Sequence, residues 1–247
     1  MLIVANWKAY VEDLAKAKKL FMLSKRLGRG RKIHLVLAPP APLLGALTLR
    51  NRSAVAFAAQ DVSATTGGAK TGEATAQAYA AAGATYAIVG HSERRAAGDT
   101  DTVVAEKLAH ALAHGLTPIL CVGEHERDSE GRYLTVVRET MTAALSTLQP
   151  KERAQVVVAY EPVWAIGKTA ADAINPNDLA EMVLYIRKVL AELLPGKSAA
   201  RARILYGGSV EPENARDLAG ASGIDGSLVG HASVDPVQFA TLVKQFA

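Results

Sequence analysis

Cysteine is nearly absent: Cys121 stands alone in 247 residues. No intramolecular disulfide can form, which fits a reducing compartment. Aromatic residues are scarce at 5%, so any large core must come from Ala, Val, Leu and Ile, and the 49% hydrophobic content supplies it. No apolar run reaches the roughly 18 residues of a membrane-spanning helix. The opening Met1-Leu2-Ile3-Val4-Ala5-Asn6-Trp7-Lys8 lacks a basic start and a long apolar stretch, so it does not read as a secretory signal. The expectation is a cytoplasmic protein with no membrane partner.

The net charge is +4, and much of it is local: Lys16, Lys18, Lys19, Lys25, Arg26, Arg29, Arg31 and Lys32. No aromatics interleave with these residues, so they read as a solvated helix face and its exit, not a nucleic-acid surface. A mild positive balance also attracts phosphorylated small molecules.

Short apolar runs alternate with helical patterns. Candidate strands are residues 2–5, 33–38, 55–59, 86–90, 117–122, 155–160, 203–206 and 226–229. Several are apolar on both faces, as in a covered parallel sheet. Helical patterns fall at residues 13–27 and 101–114, after Asn175-Pro176, and from Pro236 to near Phe246. No linker divides residues 1–247, so one domain is expected. Eight strand-helix units close naturally into an α/β barrel of the (β/α)8 type, the TIM barrel. A doubly wound open sheet is the alternative.

Polar groups gather where these strands end. Asn6, Trp7 and Lys8 follow the first; Gln60 and Asp61 the third; Gly90-His91-Ser92-Glu93-Arg94-Arg95 the fourth; Gly123 and Glu124 the fifth. Glu161 follows the sixth, Gly207-Gly208-Ser209 the seventh and Gly230-His231 the eighth. In a barrel all of these face one rim, where such folds carry out chemistry. The decapeptide Tyr160-Glu161-Pro162-Val163-Trp164-Ala165-Ile166-Gly167-Lys168-Thr169 reads as a strand delivering a carboxylate, with a loop able to close over it. A base beside a lid suits chemistry that must exclude water. A surface Glu at an ordinary strand exit is the plainer reading.

Lys8 is the candidate fixed cation, able to attract phosphate and stabilise an oxyanion; the alternative is a surface lysine. His91 precedes a polar helical turn whose partial positive charge disfavours imidazolium, making it a neutral hydrogen-bond donor; the alternative is a structural histidine. Gly207-Gly208-Ser209-Val210 reads as a glycine-rich turn opening a helix whose amides suit a phosphate, and Gly230-His231-Ala232-Ser233 as a second such set. Other patterns fail. Gly167-Lys168-Thr169 shares the end of a P-loop, but Pro162 stands where its first glycine belongs. His110 and His114 have metal-ligand spacing but lie beside Lys107, on what reads as a solvated face. Cys121, inside an apolar strand, reads as buried and inert.

With these residues in place, the chain resembles the triosephosphate isomerase family over essentially its whole length. The segments that carry the resemblance are Ala5–Lys8, Thr71-Gly72-Glu73, Val89–Arg95, Cys121–Glu124, Ala159–Thr169 and Tyr206–Val210. The resemblance implies interconversion of dihydroxyacetone phosphate and glyceraldehyde 3-phosphate, with no cofactor and no metal. It casts Glu161 as the base, His91 as the electrophile, Lys8 as the electrostatic stabiliser and Asn6 as a substrate hydrogen-bonder. Gly167, Ser209, Gly230 and the amide of His231 would grip the phosphate. Pro162, Val163, Trp164, Ala165, Ile166, Gly167, Lys168, Thr169 and Ala170 would form the lid, with Trp164 in its first hinge. Glu93 would hold the Lys8 ammonium, with Glu124 and Tyr206 behind the site. Thr71, Gly72 and Glu73 would reach a second subunit, which implies a homodimer.

Two positions depart from the family's usual pattern. His231 stands where a second glycine is usual, and Lys70 where the dimer loop usually carries an uncharged residue. Rival readings are isomerisation of a four-carbon ketose phosphate, an aldolase with a Schiff base on Lys8, and a catalytically silent barrel that binds a phosphorylated ligand.

Overall fold

A computed structural model describes residues 1–30, 32–49, 51–167, 173–221 and 223–246. Eight strands alternate with helices: β1 (Leu2–Asn6), β2 (His34–Ala38), β3 (Ala56–Ala59), β4 (Tyr86–Val89), β5 (Thr117–Val122), β6 (Val157–Tyr160), β7 (Ile204–Tyr206) and β8 (Gly226–Val229). Each pairs in parallel with its neighbour, and β8 returns to β1, so the sheet closes into a (β/α)8 barrel. All eight expected strands are present, most trimmed by a residue or two at an end. The open sheet is excluded by the β1–β8 pairing of Ile3 with Ser227 and Val4 with Leu228.

Closure follows from what each strand buries. Leu2, Val4, Val36, Ala38, Ala58, Ile88, Ile119, Cys121, Val157, Ala159, Leu205 and Leu228 pack together as the barrel interior. The alternate residues, among them Ile3, Ala5, Leu35, Leu37 and Val158, join the larger core beneath the helices. Strands apolar on both faces thus fill two layers, which only a covered parallel sheet offers.

The helices are α1 (Leu14–Leu27), α2 (Ala41–Thr48), α3 (Ala76–Ala81), α4 (Ser92–Ala96), α5 (Asp101–Ala113), α6 (Arg132–Leu145), α7 (Pro150–Arg153), α8 (Pro176–Leu193), α9 (Ala215–Ala221) and α10 (Pro236–Gln245). Their starts are written locally. Asp13, Thr75, Thr100, Asn175 and Asp235 each accept a backbone N–H of the first turn, and Pro176 and Pro236 occupy the first helical positions. In α8 the expected stripe of Leu179, Val183, Ile186 and Leu190 is buried, with Leu193 packed at its edge. In α1 the buried face is Ala17, Leu20, Phe21, Ser24 and Leu27, while Lys18 points outward.

Two connections carry an extra short helix, α4 before α5 and α7 after α6, so the pattern of one helix per strand is exceeded there. A third difference lies after β7. The turn at residues 207–210 does not open a helix directly, because Glu211 to Asn214 form an intervening turn and α9 begins at Ala215. Among the described residues, no helix is long and apolar enough to cross a membrane.

Lys107 corrects the expectation of a solvated face on α5. It is 3% exposed and bonds Asp61 at 2.7 Å and Asp99 at 2.5 Å. Spacing along the helix placed it off the apolar stripe, but tertiary contact brings two carboxylates onto it. His110 is half-buried, with its Nε2 3.1 Å from the Ala64 carbonyl oxygen.

Candidate active site

The inward alternation of the strands sets the barrel mouth. Leu2 and Val4 face the interior, so Asn6 continues on that side; Val157 and Ala159 do the same for Glu161. His91 lies out of this phase after Ile88. A left-handed turn at Gly90, φ 72°, breaks the alternation immediately before it. Asn6, Lys8, His91 and Glu161 all border one cavity of about 360 Å³, together with Gly167, Ser209, Gly230 and His231.

Lys8 has φ 46°, a left-handed conformation unusual for a side chain with a Cβ. Such strain persists where the surroundings over-determine it. Here the Asn6 Oδ1 accepts the Lys8 amide at 3.1 Å, and Gln60 Nε2 donates to the Lys8 carbonyl at 2.9 Å. The ammonium lies on Glu93 Oε1 at 2.5 Å. Gln60 also donates to Ala38 at the end of β2, tying three strand exits together. Its position after β3 placed it at the rim, but nothing in the sequence signalled this clamp.

The His91 ring is buried and caps α4. Its Nδ1 accepts the Glu93 amide at 3.1 Å, so that nitrogen carries no proton and the neutral ring is protonated on Nε2. The Nε2 faces Glu161, 3.5 Å from Oε1.

Glu161 is 2% exposed. Its Oε2 accepts the Ser92 amide at 3.2 Å, while Oε1 is buried without a hydrogen-bond partner. A buried carboxylate oxygen left unbonded is costly, and such groups mark functional sites. Glycines on both flanks make room for it. A Cβ on Gly207 would fall 2.7 Å from Glu161 Cγ, and one on Gly123 would fall 1.8 Å from the Glu161 carbonyl oxygen.

Behind the base, buried Glu124 accepts the Tyr160 hydroxyl and the Trp164 indole N–H, both at 2.8 Å. Val163, Trp164 and Ala165 form one 3-10 turn after Pro162, and the Val163 amide donates to the Glu124 carbonyl at 2.9 Å. Ser209 Oγ donates to the Ala165 carbonyl at 2.9 Å. Ile166 and Gly167, the latter with φ 69°, continue the segment along the cavity. Lys168, Thr169 and Ala170 lie outside the described residues.

Tyr206 is buried beneath Gly208, and burial raises its hydroxyl pKa well above the ordinary tyrosine value. Cys121 is buried on β5. Burial first, then the neighbouring Glu161 carboxylate, push its thiol far above the usual range, in keeping with an inert group. Its nearness to Glu161 was not legible in the sequence. Gly230 (φ −89°, ψ −105°) starts a 3-10 turn over His231–Val234, and His231 needs no left-handed backbone, so its Cβ is accommodated.

Thr71, Gly72 and Glu73 stand away from this cavity, on an exposed loop after β3. The Ser63 hydroxyl donates to the Glu73 carboxylate, and the Glu73 amide to the Lys70 carbonyl at 3.2 Å. Lys70 is exposed on the same loop.

Fold and site together define a (β/α)8-barrel enzyme whose carboxyl-end mouth holds a buried carboxylate, an imidazole and an ammonium. The comparisons with known proteins agree. The family model described as "Triosephosphate isomerase" matches residues 1–246. Curated relatives named triosephosphate isomerase include those of Thermus thermophilus, 41% identical over 99% of this chain and 98% of the relative, and Cupriavidus pinatubonensis, 42% identical over 98% and 97%. That of Symbiobacterium thermophilum is 40% identical over 98% and 94%. The chain belongs to the triosephosphate isomerase family.

Proposed function

We propose that the chain interconverts dihydroxyacetone phosphate and D-glyceraldehyde 3-phosphate through an enediolate, in glycolysis and gluconeogenesis. The observation that carries this reading is the placement of buried Glu161 Oε1 3.5 Å from His91 Nε2, in the cavity that Lys8 also lines.

A hydrogen α to a carbonyl is weakly acidic, and a carboxylate removes it only where the resulting oxyanion is stabilised. Glu161 takes the proton from one carbon and returns it to the next. To reach carbon its carboxylate leaves the Ser92 amide. His91 donates its Nε2–H to the carbonyl oxygens, and Lys8 adds positive charge held in place by Glu93. Asn6, which already fixes the Lys8 amide, hydrogen-bonds the substrate.

The amides of Gly167, Ser209, Gly230 and His231 take the phosphate. The segment from Pro162 through Ala170 closes over the site; Glu124 and Ser209 hold its first turn. Closure keeps water from the enediolate and keeps its phosphate from being eliminated.

The Lys8 amine lies on Glu93 at ion-pair distance, a placement that suits electrostatic stabilisation of an oxyanion. The loop Thr65–Glu73 meets a second copy through Thr71, Gly72 and Glu73, giving a homodimer in the cytoplasm. Its exposure, with a backbone already braced by its own hydrogen bonds, supports that reading.

A coupled assay starting from glyceraldehyde 3-phosphate, run beside a four-carbon ketose phosphate, tests the reaction. Turnover on the triose, with inhibition by a phosphoglycolate-type analogue, is expected. Preference for the four-carbon substrate, or no turnover, would overturn it. Sedimentation equilibrium gives the subunit count.

A further inference from the structure

His231 carries a side chain that the amide contacts of the phosphate end do not require. It opens the 3-10 turn after β8, is exposed, and borders the same cavity as Glu161. The ring is not left loose. Tyr10, half exposed on the loop after β1, meets it edge to face, with centroids 5.5 Å apart and planes at 78°. Tyr10 is itself fixed: its amide donates to Trp7, and its carbonyl accepts Lys16 Nζ at 3.2 Å.

Ionisable groups at this end of the cavity come from two loops. Lys8 and Tyr10 follow β1, with Lys8 Cε 3.5 Å from the Cβ position of Gly230. Glu211 follows β7 and also lines the cavity. Burial raises the Glu211 carboxyl pKa, while the electrostatic influence of His231 lowers it and that of Glu213 raises it. A carboxylate in this cavity opposes a phosphate dianion, and a cation at residue 231 offsets that opposition.

We infer that the side chain of His231, held by Tyr10 at the cavity that Glu211 also lines, is an additional anion-binding group of the phosphate end, and that it makes affinity for a dianionic ligand proton-linked. The inference rests on reading this cavity as the triose phosphate site. The sign follows from linkage. A bound dianion favours the imidazolium, so binding takes up a proton. Affinity for a dianion is therefore greater at the acid end of the assay range than at the basic end.

Inorganic sulfate is the probe, because it stays a dianion throughout this range and its own titration does not intrude. Its competitive inhibition constant against glyceraldehyde 3-phosphate is measured from about pH 5.5 to 8.5 for the native chain and for His231→Gly. The native constant should rise about five-fold more over that range than the variant's, the lower end of ordinary coupling between groups. His231→Gln, which keeps a side chain against Tyr10 but cannot charge, should follow the glycine variant, and it serves if His231→Gly does not fold. Parallel profiles in all three proteins would overturn the inference and leave the isomerase reading intact. Failure of sulfate to compete at any pH, in an active enzyme, would remove the phosphate-end assignment and the inference together.

Discussion

A single methyl group at residue 207 tests how closely the base is seated. In Gly207→Ala the new Cβ lies 2.7 Å from Glu161 Cγ. Ordinary carbon contacts lie at about 3.5 to 4.0 Å, so one partner must retreat by about 1 Å. Residue 207 resists, because its amide donates to the Tyr160 carbonyl at 2.8 Å. The Glu161 backbone resists too, since its amide bonds the Val122 carbonyl at 2.7 Å and its own carbonyl lies against Gly123. The Glu161 side chain is what moves, and its carboxylate with it. Overpacking costs about 1 to 3 kcal/mol of stability. A 1 Å misplacement of a reacting group costs about 10²-fold in rate. Steady-state kinetics should therefore show kcat down by about that factor, with KM changed far less, in a protein that still unfolds cooperatively on heating. A native kcat in folded Gly207→Ala would refute the argument, because it would mean that the base tolerates displacement.

The other tests address separate parts of the molecule. Glu161→Gln removes the proton acceptor while keeping its shape, and turnover should fall by about 10³-fold or more in the coupled assay; near-native activity would remove Glu161 from its role. Lys107→Met leaves the half-buried Asp61 and Asp99 with Arg94 as a shared cation, and chemical denaturation should show a loss of about 1 to 3 kcal/mol, with an unchanged midpoint counting against a role for this cluster in stability. The raised pKa of Cys121 keeps its thiol protonated, so at pH values near that of a free thiol it should ignore a disulfide reagent until the chain is unfolded; rapid modification of the native protein would contradict its place inside the barrel.

The legible part of this protein lay in local patterns. Eight apolar runs read as strands because a residue buried on either face of a sheet must be apolar whichever way it points, and that demand is visible without knowing the neighbours. Helix starts read equally well, since Asp13, Asn175 and Asp235 cap amides only two or three residues away. Glu161 and Asn6 could be placed at the mouth because a strand's alternation carries on into the residue beyond its end. The turn after β7 was misplaced relative to α9, since the side chain of Asn214 accepts the Glu211 amide and organises an extra turn there.

What sequence alone determined was therefore the eight strands, four of the helices and the rim on which the polar groups gather, because these follow from contacts a few residues long. Tertiary structure decided the rest. It chose closure over an open sheet by pairing β1 with β8. It turned Lys107 from a surface cation into a buried one held between two half-buried carboxylates. It set Gln60 across three strand exits and brought Tyr10 against His231, 221 positions further along the chain. Each of these joins groups far apart in the chain, and no period of 2 or 3.6 residues records such a meeting.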